Sequence, residues 1–248
     1  MTTALVGRTR VRGVETLSLD SPATRNALSR ALVSELTDAL GSCDKDDDVR
    51  AVVLTHTGNT FSAGADLKDP PPPDAVPALL RRILELRKPV VARVAGHVRA
   101  GGLGVLGACD IALAAGTATF AFTEVRIGVA PAVISLPLLP RVEPRALARY
   151  CLTGETFGAA EAARIGLVTL SAGDGDLDEA LAPVLDGLRR AAPTALARTK
   201  ELLTAKVLEA LVEDAGEMTR LSASLFAGPE AREGMTAFLE RRDPPWVL

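Results

Sequence analysis

Residues 94–114 read VAGHVRAGGLGVLGACDIALA, and within them GLGVLG at 102–107 matches G-x-G-x-x-G. An apolar run, PVVARVAG at 89–96, comes before it, and Glu124 lies downstream at the distance where a dinucleotide-binding unit places its ribose-binding acid. In such a unit the first glycine follows the strand directly, so that the next helix aims its N-terminus at the pyrophosphate. Here HVRAG at 97–101 intervenes, and a second glycine-rich loop, FSAGAD at 61–66, has no role in that scheme. A lone G-x-G-x-x-G is a weak signal. Two loops of small residues, each after a strand, suit another task better. Backbone N–H groups there can approach a ligand with no side chain in the way, and one from each loop makes an oxyanion hole.

The bulk properties are those expected of an ordinary soluble globular protein. With 248 residues, 48% hydrophobic and 24% charged, the chain can close one substantial core, or one core plus a small appendage. The net charge of −3 offers no global field for nucleic acid or anionic lipid. The N-terminus, MTTALVGRTRVRG, lacks a secretory core, and no run approaches a membrane span, so a cytoplasmic protein is expected. Three cysteines, Cys43, Cys109 and Cys151, stand far apart without a C-x-x-C, and are read as reduced and buried. His56 and His97 are the only histidines, and no cluster of ligands points to a metal.

Along the chain, TALVGRTR and GVETLSLD bracket Arg12-Gly13 as a hairpin would. A Ser29-capped helix with its stop at Gly41 follows, then a buried strand in VRAVVLTHT, with GNTFSAGAD as a loop rather than a continuation. The four prolines at 70–73 form an extended surface connector. A helix over 76–87, a strand over 89–95, the glycine stretch with its short helix, and a strand over 110–114 complete an α/β alternation. Beyond about 140 the pattern is mainly helical: 145–152, 157–165, 177–191, 194–225 with a break or kink at Gly216, and 229–242.

FSAGADLKD, VAGHVRAGGLGVLGACDIALA, FAFTEVRIGVAP and REGMTAFLERRDPP, in this order, resemble the crotonase superfamily of enoyl-CoA hydratases and isomerases along nearly the whole chain. TEVRIGVAPAVIS is most similar to bacterial enoyl-CoA or 3-methylglutaconyl-CoA hydratase-like members. The resemblance implies a repeated ββα spiral core over residues 1–192 and a helical C-terminal trimerisation region over 193–248, assembled as a homotrimer or dimer of trimers. It implies an acyl-CoA thioester as substrate, with coenzyme A part of that substrate and no separate cofactor; the net charge disfavours a nucleic-acid partner, and no membrane partner is expected.

By the same resemblance, the thioester carbonyl is held by the N–H groups of Ala65 and Gly101. Such donors, fixed in advance of the charge they meet, are worth about 3 to 4 kcal/mol each. Coenzyme A would contact Arg25 and the loop Ala63, Ala65, Asp66, Leu67 and Lys68, with Gly101 and Gly104 along the acyl side. Hydratases of this family usually carry two carboxylates. Glu124 stands at the second position, with Phe120, Phe122, Val125 and Ile127 around it as an apolar setting that favours its neutral form. The first position aligns with Gly104. Asp110 and Glu143 do not replace the missing acid, Asp110 being structural and Glu143 lying in a connector. Gly104 leaves room either for an ordered water or for a branched acyl group. A hydratase-type enzyme with Glu124 as its single acid/base is expected; a double-bond isomerase and a non-catalytic thioester-binding protein are the alternatives.

Overall fold

A computed structural model describes residues 4–173 and 176–248. β1 (Val6–Val11) and β2 (Val14–Leu19) form the antiparallel hairpin expected, turned by Arg12 and Gly13 with φ of 49° and 78°. α1 (Arg30–Lys45) starts where Ser29 Oγ accepts the Leu32 N–H at 3.2 Å. It does not stop at Gly41: the helix runs on to Lys45, and Gly41 lies within it in the right-handed conformation of the other turns.

Three successive units then repeat one plan. β3 (Ala51–His56), β4 (Thr60–Ser62) and α2 (Ala75–Glu85) are followed by β5 (Val90–Val94), β6 (His97–Arg99) and α3 (Gly101–Ala108). β7 (Ile111–Ala114) and β8 (Thr119–Ala121) come next, then a single turn of 3-10 helix, Glu124–Ile127, and α4 (Ala132–Leu138). The first strand of each unit joins one sheet and the second joins another. After α5 (Pro144–Thr153), β9 (Phe157–Gly158), α6 (Ala159–Arg164) and β10 (Leu170–Ser171), the sheets are complete. Their orders are β1-β2-β3-β5-β7-β10 and β4-β6-β8-β9. This is the α/β spiral of ββα units that the motifs implied. The short strands β4, β6 and β8 had no periodic signal of their own, since three residues cannot show alternation. The loop reading of GNTFSAGAD and the intervening HVRAG are corrected accordingly, as is the helix expected from Phe157, whose first two residues pair with β8.

All six residues of β3 are buried, as a central parallel strand covered on both faces requires. Val52 and Leu54 face the main core with Leu32, Leu36 and Leu40 of α1 and Leu79, Leu80 and Ile83 of α2. Val53 and Val91 face the other way, against Leu177 and Leu181 of α7 (Leu177–Arg190).

α8 (Pro193–Phe226) is one helix of 34 residues, continuous through Gly216 where a kink was expected. Gly216 has nothing within 4 Å of a built Cβ, and no proline or inserted group interrupts the hydrogen-bond ladder. A buried cation fixes α8 to the core. Lys200 Nζ donates to the carbonyls of Ile83 at 2.8 Å and Lys88 at 3.2 Å, and pairs with Asp110 Oδ2 at 2.7 Å. Asp110 also accepts the Val90 N–H, so it is structural, as expected. α9 (Pro229–Glu240) closes the chain. Among the described residues no helix is long and apolar enough to cross a membrane.

Candidate active site

The glycines of GLGVLG lie inside α3, not before it, and all three are buried. A Cβ built on Gly102 would lie 2.8 Å from Ser62 Cβ, one on Gly104 2.8 Å from Ile134 Cγ2, and one on Gly107 2.6 Å from Leu138 Cδ2. These glycines let α3 pack closely against β4 and α4. No helix N-terminus follows them, so the dinucleotide reading fails on geometry.

The N-terminus of α3 is at Gly101, and there the backbone is unusual. Ala100 has φ 45° and ψ −122°, a strained conformation for a residue with a Cβ. It is held by its N–H, which donates to the Ala121 carbonyl at 3.1 Å across the parallel pair β6–β8. Gly101 N–H has no acceptor among the described residues. The N–H of Ala65 is likewise without one: its neighbours Gly64 and Asp66 bond to Leu28, with Leu28 N–H to Gly64 O at 2.7 Å and Asp66 N–H to Leu28 O at 3.3 Å.

These two open donors are neighbours. A Cβ built on Gly101 would lie 3.5 Å from the Ala65 nitrogen, and one on Gly64, whose φ is 91°, 3.1 Å from the Gly101 nitrogen. A side chain at Gly64 would crowd the Gly101 nitrogen and Ala100, and one at Gly101 would press on Leu28 Cδ1 at 3.2 Å. The first turn of α3 adds its partial positive charge at the same point. The loop over 63–69 is shaped from both sides. Ala63 N–H donates to the Arg25 carbonyl at 3.0 Å, and Asp66 Oδ1 accepts the N–H groups of Lys68 and Asp69 at 2.8 and 3.2 Å. Ala65, Lys68 and Arg25 are exposed, while Asp66 and Leu67 are half-buried. Asn26 carries no motif signal, and only its contacts single it out. Fully buried at φ 52°, it accepts the Ser21 N–H and donates to the carbonyls of Thr57 and Thr60, tying the Arg25 turn to β4.

Glu124 begins the 3-10 turn that follows β8, at the same end of the paired strands as Gly101. It is only 8% exposed, and its Oε2 is buried without a hydrogen-bond partner. Burial pushes its pKa up to about 7, because the surroundings do not solvate the carboxylate. Phe120 and Phe122 of the expected apolar setting are buried; Val125 and Ile127 are half-buried. Cys151, half-buried on α5, feels the Glu124 charge, and its thiol is pushed up to about 12, chiefly by burial.

Gly104 corrects an expectation. No room is left beside it for a water or a branched chain, since Ile134 of α4 occupies that space, with Cβ and Cγ2 both inside 3.0 Å of a built Cβ. Glu143 does not replace the missing acid: it caps α5 through the N–H groups of Arg145 and Ala146. Among the described residues no group of three or more His, Cys, Asp or Glu could hold a metal ion.

A family model described as enoyl-CoA hydratase/isomerase matches residues 9–247. A probable enoyl-CoA hydratase of Mycobacterium bovis is 32% identical over 253 residues, covering 99% of this chain and 98% of the relative. The 2,3-dehydroadipyl-CoA hydratase of Escherichia coli is 31% identical over 244 residues, covering 95% of each. The crystal structure of an enoyl-CoA hydratase from Mycobacterium avium superposes with a TM-score of 0.92 at 49% identity, over 99% of this chain and all of that one. Two open N–H groups from separate loops, a buried unpartnered glutamate at the same end of the paired strands and a match along nearly the whole chain lead to one conclusion: this protein is an enzyme of the enoyl-CoA hydratase/isomerase family.

Proposed function

We propose that the chain is a hydratase-type enzyme that adds water to the conjugated double bond of an acyl-CoA thioester, with Glu124 as its one acid/base. The observation that carries this is the unpartnered Oε2 of Glu124, on the same end of β6 and β8 as the open N–H groups of Ala65 and Gly101. In this reading the two N–H groups hold the thioester oxygen, where negative charge grows as a nucleophile meets the β-carbon. Glu124 as carboxylate takes a proton from water while the hydroxide oxygen bonds to the β-carbon. The resulting enolate then takes that proton back at the α-carbon, and water has been added. A carboxyl that titrates near 7 suits both halves of this cycle. Arg25 and the 63–68 loop take coenzyme A, the exposed Lys68 and Arg25 meeting its phosphates.

A second reading, double-bond isomerisation, is favoured by Ile134 filling the space at Gly104. No second carboxylate stands there to orient water, and moving a double bond needs only one base that removes a proton and returns it elsewhere. A panel of straight, branched and 3-methylglutaconyl CoA thioesters, incubated in heavy water with product identification, separates the readings. A 3-hydroxyacyl product supports hydration. A shifted double bond carrying deuterium, without hydration of any thioester in the panel, gives the isomerase. An unchanged, undeuterated acyl chain throughout means a passive binder. Exposed apolar side chains on the C-terminal helices, Leu202, Leu203 and Val212 on α8 and Phe238 and Leu239 on α9, fit a subunit contact. Light scattering should give a trimer or hexamer mass.

A further inference from the structure

The turn that carries Glu124 is pressed from behind by the last helix of the chain. A Cβ built on Gly234 of α9 would lie 2.6 Å from both the Cα and the carbonyl carbon of Ile127, and 2.7 Å from its oxygen. From the other side, a Cβ on Gly128 would lie 2.5 Å from the Glu230 carbonyl carbon and 2.7 Å from the Ala231 nitrogen. Backbone therefore meets backbone at both glycines, with no side chain between. Ala231 and Ala237 of α9 are buried at the same contact face, at 0% and 1% exposure. Gly128 has φ 76° and ends the turn, its N–H donating back to the Glu124 carbonyl, which also accepts the Val129 N–H at 3.1 Å.

We propose that Gly234 and Gly128 are positioning residues: they let α9 seat directly on the Glu124–Ile127 turn and fix where the Glu124 carboxyl points. The proposal rests on the reading of Glu124 as the proton carrier. Neither glycine touches substrate. A methyl group at Gly234 would force α9 and the turn apart by about 1 Å, given normal carbon contacts of about 3.5 Å; one at Gly128 would do so too and would also strain the left-handed end of the turn. A displacement of that size at a proton-transferring group lowers turnover far more than binding. It would also admit water to a carboxyl that is now dry. Set against the turn are Cys151 from α5, Arg126 of the turn itself, which donates to the Thr153 carbonyl, and the Glu230 backbone of α9, while Glu233 of α9 pairs with Arg242.

The test uses the full chain with Gly234→Ala and, separately, Gly128→Ala, and Gly216→Ala on α8 as the control, where a methyl meets open space. Expected for both test variants is a fall in kcat between about tenfold and about a hundredfold with KM changed little. The Glu124 titration should move from about 7 toward the ordinary carboxyl range, because water then reaches the group. That titration is read without turnover, from the carboxyl infrared band that each protein loses when Glu124→Gln is added. Normal kcat and an unmoved titration in folded variants overturn the proposal. So does a lowered Tm with both unchanged per active site, since that is a structural role only. Should Glu124→Gln retain full turnover, the functional reading falls, while the infrared titration still decides whether α9 sets the carboxyl's surroundings.

Discussion

The two ends of α3 are treated in opposite ways. At its C-terminal end the free carbonyls of Gly107 and Cys109 are both taken by Arg141 Nη1 at 2.6 Å, and the next residue, Asp110, meets Lys200. At its N-terminal end no side chain caps the helix, Ala100 is strained, and Gly101 N–H is left open beside that of Ala65. A short buried helix whose one end is held by two cations and whose other end is left unsatisfied keeps its open donors rigid. In the proposed reading the C-terminal end serves stability, and the N-terminal end holds the donors that the thioester oxygen completes.

That contrast can be broken by experiment, beginning with the strongest effect. Glu124→Gln should lower turnover by about 10² to 10⁴-fold without loss of folding; near-normal steady-state rates would remove Glu124 from the chemistry. Lys200→Met leaves Asp110 buried beside the C-terminal end of α3 without its partner. It should lower stability by about 3 to 5 kcal/mol in denaturant titrations while kcat of the folded protein stays near wild type. If kcat fell as much as stability, the two ends would not be separable.

Gly101→Pro removes one open N–H at the first helical position, where proline is tolerated. A loss of about 10² to 10³-fold in kcat of the folded protein is expected, together with a lowered Tm because the ring presses on Leu28 and on the Ala100 backbone; unaltered turnover would mean that this donor faces no developing charge. The smallest effect concerns pH. Glu124 titrates higher in the folded chain than in the unfolded one, so between the two values the folded state binds more protons. Its burial therefore weakens the fold as pH rises from about 4.5 to about 7, and the penalty is complete above that. Glu124→Gln should thus be more stable than wild type at pH 8, by up to roughly 3 kcal/mol, and equal to it near pH 4. Parallel thermal melts at the two pH values would show it, and a constant difference would contradict the buried, dry setting of the carboxyl.

Much of the architecture was legible along the chain. The β1–β2 hairpin, the Ser29 cap, the buried β3 and the helices from α5 onward follow from alternation, capping residues and helical spacing, which act within a few residues of one another. The missed features are of other kinds. β4, β6 and β8 are strands only because they pair with each other, and α8 passes Gly216 unbroken because neighbours elsewhere on the helix hold it, Lys200 foremost.

The same division holds at the site. Ala65, Gly101 and Glu124 could be named because four ordered motifs resemble one family, and the loops of small residues and the acid in an apolar run agree with that resemblance. Their open hydrogen-bonding groups, and the dryness that lifts Glu124 to about 7, depend on what packs around them. Sequence alone fixed that Gly104 carries no acid. Only the tertiary structure decided that Ile134 occupies the space instead, and that α9 seats on the Glu124 turn through Gly234. Composition and periodicity act locally, whereas close packing joins residues from distant segments, and there a single methyl group decides what fits.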